Sequence, residues 1–233
     1  MVGHVTAPAA APLDALPSWV TLVRAPNPGP MTLDGTNTWV LRPPGADRIV
    51  VVDPGPLDEP HLNAVAAQGD VEVVLVTHGH PDHVEGLDRF RQLCPEATVV
   101  AAGGSGSVPV PGDLTVARMA TPGHTSDSVC FVAEVDGERI VLTGDTILGR
   151  GTTVVAHPDG DLGDYLESLG RLSELTGVPV LPGHGPALTD CAEAAVFYLT
   201  HRRARLEQVR QARAAGAATA AEVVERVYAG VDR

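Results

Sequence analysis

At 233 residues, 44% hydrophobic and with a formal net charge of −13, the chain can bury a sizeable core but is too acidic to predict a broad nonspecific nucleic-acid surface. Its three cysteines are odd in number and widely spaced, which argues against a disulfide framework and a cysteine-rich zinc site. No apolar run approaches the ~20 residues that cross a membrane, so we expect no membrane partner and a cytoplasmic protein.

Residues 1–17 are rich in Ala and Pro and lack a basic stretch followed by an apolar core, which predicts a flexible tail and not a signal peptide. The rest divides into a predicted catalytic domain, 18–188, and a helical appendage, 189–233. Hydrophobic patterning predicts strands at 19–24, 38–41, 48–52, 71–76, 98–101, 114–119, 129–135, 139–143 and 178–181, and helices at 58–68, 82–93 and 161–175. An α/β fold with two packed sheets covered by helices suits this order, although periodicity alone does not separate it from other α/β layouts.

One short segment combines several metal-binding side chains. Residues 78–83 read His-Gly-His-Pro-Asp-His and follow the apolar run 71–76 directly. Imidazoles and a carboxylate are ligands that zinc prefers. A strand that ends in a tight loop can direct His78 and His80 to one point and Asp82 and His83 to another. The alternative is a polar loop with no metal.

The same context recurs at three later strand ends. An apolar run and a glycine precede His124, Asp145 and His184. Each of these residues alone is more typical of an ordinary loop side chain. Together with the first segment they give seven ligands, enough for two metal ions with open positions for water and substrate.

This set of residues resembles the metallo-β-lactamase superfamily over roughly residues 19–190. The resemblance implies an αββα sandwich with two Zn²⁺ ions, iron or manganese being the alternatives. It implies that one metal is held by His78, His80 and His124, that the other is held by Asp82, His83 and His184, and that Asp145 bridges them. Segments 35–39 and 53–55 also match the N-terminal strands of the family. Asp53 is then expected to orient a ligand loop from behind, although an Asp before Pro-Gly is equally typical of a plain turn.

The appendage carries a long Arg-rich helix and a capping box from Thr219 to Glu222. It resembles part of the winged-helix-like domain of the subfamily typified by the lactamase-β-like protein 2 endoribonuclease. The sequence stops at Arg233, about where the remaining helix and hairpin of that domain would begin, so we expect a truncated or incompletely recorded domain. His201 and Arg202 on the long helix are candidate substrate contacts, and a solvated face is the alternative.

The ligand set predicts hydrolysis by a metal-bridging hydroxide, with Asp82 as both ligand and proton acceptor. The resemblance leaves an RNA phosphodiester and an acyl thioester as near-equal substrates, so the partner is a small molecule or single-stranded RNA. A lactone or β-lactam ranks lower, because dedicated β-lactamases usually lack an aspartate matching Asp145. A mononuclear iron sulfur dioxygenase and a non-catalytic nucleic-acid-binding regulator remain as other classes. A homodimer is a family expectation.

Overall fold

Two five-stranded sheets form the framework of the chain in this computed structural model, which describes residues 7–228. The strands are β1 Val20–Arg24, β2 Asn37–Leu41, β3 Arg48–Val52, β4 Asp70–Leu75, β5 Thr98–Val100, β6 Gly106–Val108, β7 Thr115–Ala120, β8 Val129–Val135, β9 Glu138–Gly144 and β10 Val180–Pro182. The helices are α1 Glu59–Ala66, α2 Pro81–Val84, α3 Leu87–Leu93, α4 Leu162–Leu172, α5 Cys191–Ala214 and α6 Ala220–Val227, and a short 3₁₀ turn spans Leu13–Ala15.

The first sheet has the strand order β1-β2-β3-β4-β5 and the second β10-β9-β8-β7-β6. In the first sheet β3, β4 and β5 are parallel, and in the second β9 and β10 are parallel; the other pairs are antiparallel. Parallel neighbours end at the same edge of a sheet. Loops after β3 and β4, and loops after β9 and β10, are therefore brought together in pairs.

Alternation along the central strands produces three layers of core. On β3, Val50 and Val52 point into the cluster between the sheets, while Ile49 and Val51 join the cluster that also contains residues of α1 and α3. On β9, Leu142 lies between the sheets, whereas Val141 packs in the cluster beneath α4 and α5. Strands buried on both faces need such continuous apolar runs. The predicted αββα sandwich with a C-terminal helical region is confirmed.

Two elements differ from the sequence prediction. The helix expected over 82–93 is divided into α2 and α3, because Gly86 lies against the 55–56 loop, where a Cβ would be 2.7 Å from the Pro56 carbonyl oxygen. Its N–H donates to the Gly55 carbonyl at 3.0 Å. The edge strand β6 was not predicted, since three residues beginning Gly-Ser carry no alternation that patterning can detect.

The described part of the segment expected to be a flexible tail is attached to the sandwich. The Ala11 N–H donates to the Ala187 carbonyl at 2.8 Å, and the Thr189 N–H donates to the Ala9 carbonyl at 3.1 Å. Backbone pairing of this kind needs no particular side chain, so composition gave no signal for it. Residues 1–6 of the predicted tail and 229–233 of the predicted partial winged helix lie outside the described residues. None of the described helices combines the length and apolar character that a membrane span requires.

Candidate metal centre

All seven predicted ligands lie in loops or a helix start that follow strand ends. His78 and His80 come after β4, and α2 then carries Asp82 and His83. The other three residues follow β7, β9 and β10 in turn: His124, Asp145 and His184. The fold thus gathers them at one rim of the sandwich.

The seven side chains form two groups. Within each group one ligand atom from every residue lies within 4.8 Å of the others; the groups are His78, His80, His124 and Asp145, and Asp82, His83 and His184. In the first group His80 Nδ1 lies 3.1 Å from both His78 Nε2 and His124 Nε2. In the second group His184 Nε2 lies 3.1 Å from Asp82 Oδ2.

Asp145 lies between the two groups. Its Oδ1 is 3.3 Å from His184 Nε2 and 3.4 Å from His83 Nε2, while its Oδ2 is 3.7 Å from His124 Nε2. Oδ1 is buried and makes no hydrogen bond of good geometry. A carboxylate in this position presents one oxygen to each group, which is the placement that a bridging ligand requires.

In four of the histidines, Nδ1 faces away from the two groups and contacts an oxygen atom. These contacts determine the direction in which Nε2 points. These contacts are His78 Nδ1 with Thr77 Oγ1 at 3.0 Å, His83 Nδ1 with Asp53 Oδ2 at 2.8 Å, His124 Nδ1 with the Val154 carbonyl at 2.7 Å and His184 Nδ1 with the Gly35 carbonyl at 3.4 Å. Carbonyl and carboxylate oxygens only accept, so the ring N–H points outward. The Nε2 atoms of these rings therefore point into the two groups.

Asp53 connects two ligand loops through one buried carboxylate. It accepts hydrogen bonds from the Thr77 N–H at 2.8 Å, from the Thr77 hydroxyl at 2.6 Å and from His83 Nδ1–H at 2.8 Å. Because the Thr77 hydroxyl donates to Asp53, it accepts from His78. A single carboxylate thus orients one histidine in each group.

In the second group the neighbouring carboxylates favour the protonated, positively charged form of the histidines. Burial opposes ionisation of Asp82, but its hydrogen bond with His184 and the nearby His83 outweigh burial and lower its pKa to about 2. Burial also disfavours a charged His184, yet its close contacts with the Asp145 and Asp82 carboxylates raise its pKa to about 9. The pKa of His83 lies well above its ordinary value, since Asp53 and Asp145 together overcome its burial.

In the first group the pKa values of the histidines shift in the opposite direction. Burial, together with the neighbouring imidazoles, lowers the pKa of His78 well below its ordinary value, and burial also lowers the pKa of His124. These rings are neutral near pH 7, and the nitrogens of His78 and His124 each lie 3.1 Å from His80 Nδ1. Converging nitrogen lone pairs beside an unsatisfied carboxylate oxygen repel unless a cation lies among them. The donor set therefore fits divalent metal ions with nitrogen and oxygen ligands.

Three residues near the centre were missed as functional residues by the sequence analysis. The Thr36 hydroxyl donates to Asp82 Oδ2 at 3.3 Å, and Asn27 Nδ2 donates to that hydroxyl at 3.0 Å. Asn37 Nδ2 donates to the Gly185 carbonyl at 2.8 Å and so fixes the loop that carries His184. For Thr36 and Asn37 the signal was the match of segment 35–39 to the family's N-terminal strands, and Asn27 had none.

A cavity of about 110 Å³ opens beside His124 and Asp145. Its walls come from two loops, one containing Met31 and Leu33 and the other running from Leu148 to Val154. The wall residue Arg150 is paired with Asp34 through two hydrogen bonds, the longer of 2.9 Å.

His201 and Arg202 lie on α5, outside the cavity wall. Arg202 donates to the Thr153 carbonyl and its guanidinium carbon lies 5.5 Å from the centre of the Tyr165 ring. Because Thr153 lines the cavity, Arg202 supports the wall from behind. His201 is half-buried, and burial with the nearby Arg202 and Arg205 lowers its pKa. Direct contact of either residue with substrate stays a prediction.

Comparison with known proteins agrees with the fold and identifies the family. The metallo-beta-lactamase superfamily profile matches residues 31–107 and 101–184. A beta-lactamase-like protein 2 homolog of Caenorhabditis elegans is 32% identical, covering 94% of this chain and 79% of that protein. An atrochrysone carboxyl ACP thioesterase of Aspergillus chevalieri is 33% identical, covering 83% of this chain and 65% of that protein. A solved metallo-beta-lactamase family protein of Thermus thermophilus superposes with a TM-score of 0.71 at 21% identity, covering 90% of this chain and 87% of that one.

Proposed function

The chain belongs to the metallo-beta-lactamase superfamily and is a metal-dependent hydrolase, and from this premise we propose that it uses two zinc ions to hydrolyse acyl thioesters. The observation that carries the proposal is the pair of donor groups joined by the buried Asp145 carboxylate. Two adjacent groups of three or more ligands suit a dinuclear site, because each group alone leaves positions open for water and substrate.

The identity of the metal follows from the donors. Five imidazoles and two carboxylates suit zinc, and the same donors also suit iron or manganese. When bound, a pair of such ions lowers the pKa of coordinated water and polarises the oxygen of an electrophile. Metal analysis of the purified protein, followed by reloading with each metal, distinguishes the three.

Asp82 has the exposure and contacts of a proton acceptor. Its side chain is 27% exposed, whereas those of His83 and His184 are 0% and 1% exposed. Its contacts with Thr36, His83 and His184 all use Oδ2, so Oδ1 is not engaged in them. With a pKa of about 2 the carboxylate is ionised at neutral pH. We therefore assign to Asp82 Oδ1 the proton of the attacking water, while Thr36 and His184 hold the other oxygen in place.

Two observations favour a thioester over the other electrophiles. The cavity beside the site has apolar walls, and its one arginine, Arg150, is already paired with Asp34. An acyl group fits such walls, whereas an RNA backbone needs free cations. The thioesterase activity in the name of the Aspergillus relative supports the same choice.

The test is a panel assay of the zinc-loaded protein, the metal-free protein and an Asp82→Ala variant. The panel contains a butanoyl thioester, a labelled single-stranded RNA, a lactone and a β-lactam, and oxygen uptake with a sulfur substrate is measured on the iron-loaded protein. We expect thioester hydrolysis that metal removal abolishes and that Asp82→Ala lowers about 100-fold or more. RNA cleavage without thioester turnover would place the protein among nucleases, and oxygen uptake would make it a dioxygenase. If the fully metal-loaded protein is inactive on every substrate of the panel, the proposed catalytic activity is contradicted.

A further inference from the structure

We propose that the cavity between the 30–33 and 148–154 loops is an acyl-binding pocket for a short, uncharged, apolar acyl group of about four carbons. The inference deepens the proposed function and rests on it, since it names the part of the thioester that the chain selects. It is carried by the composition, charge and size of the cavity and by its position against His124 and Asp145.

The walls present apolar side chains that the fold does not need for its core. Met31 is 64% exposed and Val154 is 48% exposed, one on each loop. Exposed apolar side chains that share one small cavity indicate a ligand site more strongly than the same residues scattered over a surface.

Leu33 lies in the wall with an unusual backbone. Its φ is +55°, a left-handed conformation that is rare for a branched side chain. The conformation is held by the hydrogen bond from the Gly29 N–H to the Leu33 carbonyl at 3.1 Å. Backbone strain of this kind persists where the surroundings enforce it, and it is concentrated at ligand sites.

The charges that line the cavity do not favour an anionic ligand. Arg150 is the one arginine among the lining residues, and it is paired with Asp34 through two hydrogen bonds. An uncharged acyl group needs no cation from the wall, whereas a polyanion does.

The volume sets the length of the acyl group. An engineered cavity of ~150 Å³ accommodates benzene, with six carbons. The cavity here is about 110 Å³, so it accommodates about four carbons. Burying the two methylenes that distinguish butanoyl from acetyl should raise kcat/KM about tenfold.

The experiment compares neutral N-acetylcysteamine thioesters of acetyl, butanoyl and decanoyl groups, with Val154→Asp as the variant and Val196→Asp as its matched control. Both valines are about half exposed, at 48% and 44%, and Val196 lies on α5 away from the cavity. The contact of His124 uses the Val154 carbonyl, so the substitution retains it. We expect butanoyl to be the best substrate, its kcat/KM to fall about tenfold in Val154→Asp and by more than that of acetyl, and Val196→Asp to behave as the unaltered chain.

Binding provides a readout that does not depend on turnover. The non-hydrolysable thioether S-butyl-N-acetylcysteamine is followed by saturation-transfer NMR on the zinc-loaded proteins, with thermal unfolding as the check of folding. We expect transfer to the butyl methyl group in the unaltered chain and in Val196→Asp, and its loss in Val154→Asp. Equal transfer in both variants, or a preference for decanoyl, would overturn the pocket. Absence of all thioester turnover with butyl binding intact would overturn the proposed function and leave the pocket standing.

Discussion

Replacing Asp53 with Asn tests whether one carboxylate organises both halves of the metal centre. The side chain is 2% exposed and accepts three hydrogen bonds, two from Thr77 and one from His83. Asn has the same shape and tolerates the backbone φ of +53° found at this position. The substitution therefore removes the charge and one acceptor while leaving the backbone conformation unstrained. Its amide NH₂ then faces a donor that had been paired.

The expected loss is large enough to measure directly. Hydrogen bonds to a charged group contribute about 1.5–3 kcal/mol, and removing a partner behind a metal ligand costs about 10–100-fold in metal affinity. We expect the zinc affinity of Asp53→Asn, measured by titration against a chromophoric chelator, to fall within that range. Asp58→Asn is the control, since Asp58 caps α1 from the same loop and Asn is an equally good cap. Zinc affinity of Asp53→Asn within about threefold of the unaltered chain would refute the role assigned to Asp53.

Four further results are expected. The pKa of His184 in the metal-free protein is about 9, because Asp145 and Asp82 outweigh its burial. Zinc binding at about pH 7.5 should therefore release protons, which calorimetry detects as heats that depend on the buffer. The zinc affinity should rise with pH up to about pH 9. The same raised pKa stabilises the metal-free fold fully below pH 6.5, so its melting temperature should fall as pH rises through 9, and a flat profile would contradict this. Gly183→Ala should lower zinc affinity about tenfold or more, because a Cβ would lie 2.6 Å from both Asp145 Oδ1 and His83 Cε1. Thr36→Val should lower kcat about three- to tenfold and Thr36→Ser should restore it; equal rates for both would contradict the hydrogen bond to Asp82.

The residues that the sequence identified are those with distinctive chemistry. Histidine and aspartate at strand ends are uncommon enough that their recurrence was informative, and the structure brings all seven together. Strand positions were predictable for a similar reason, since apolar runs such as 48–52 and 129–135 fill both faces of buried strands. The division of the helix at Gly86 was not predictable, because it depends on a contact with residues 55–56 that are distant in sequence.

The walls of the cavity were also beyond sequence analysis, for a different reason. Met31, Leu33 and Val154 are ordinary apolar residues in irregular loops, and nothing in their neighbours distinguishes a ligand wall from a satellite of the core. Hydrogen-bond partners such as Asn27 and Thr36 are common residue types whose role depends on position alone. The proposed acyl pocket therefore depends on the three-dimensional structure, whereas the candidate metal ligands were recognisable from the order of residues.

The parallel strand pairs explain why the centre forms at this rim. Asp53 follows β3 and His78 follows β4, and these strands are parallel neighbours, so their carboxyl ends meet and Asp53 reaches the Thr77 N–H at 2.8 Å. Asp145 follows β9 and His184 follows β10, which are also parallel neighbours, so Asp145 Oδ1 lies 3.3 Å from His184 Nε2. Antiparallel pairing would have sent each partner to the opposite edge. The metal-binding geometry is therefore a consequence of strand direction, and the ligands' residue types determine only what that geometry can hold.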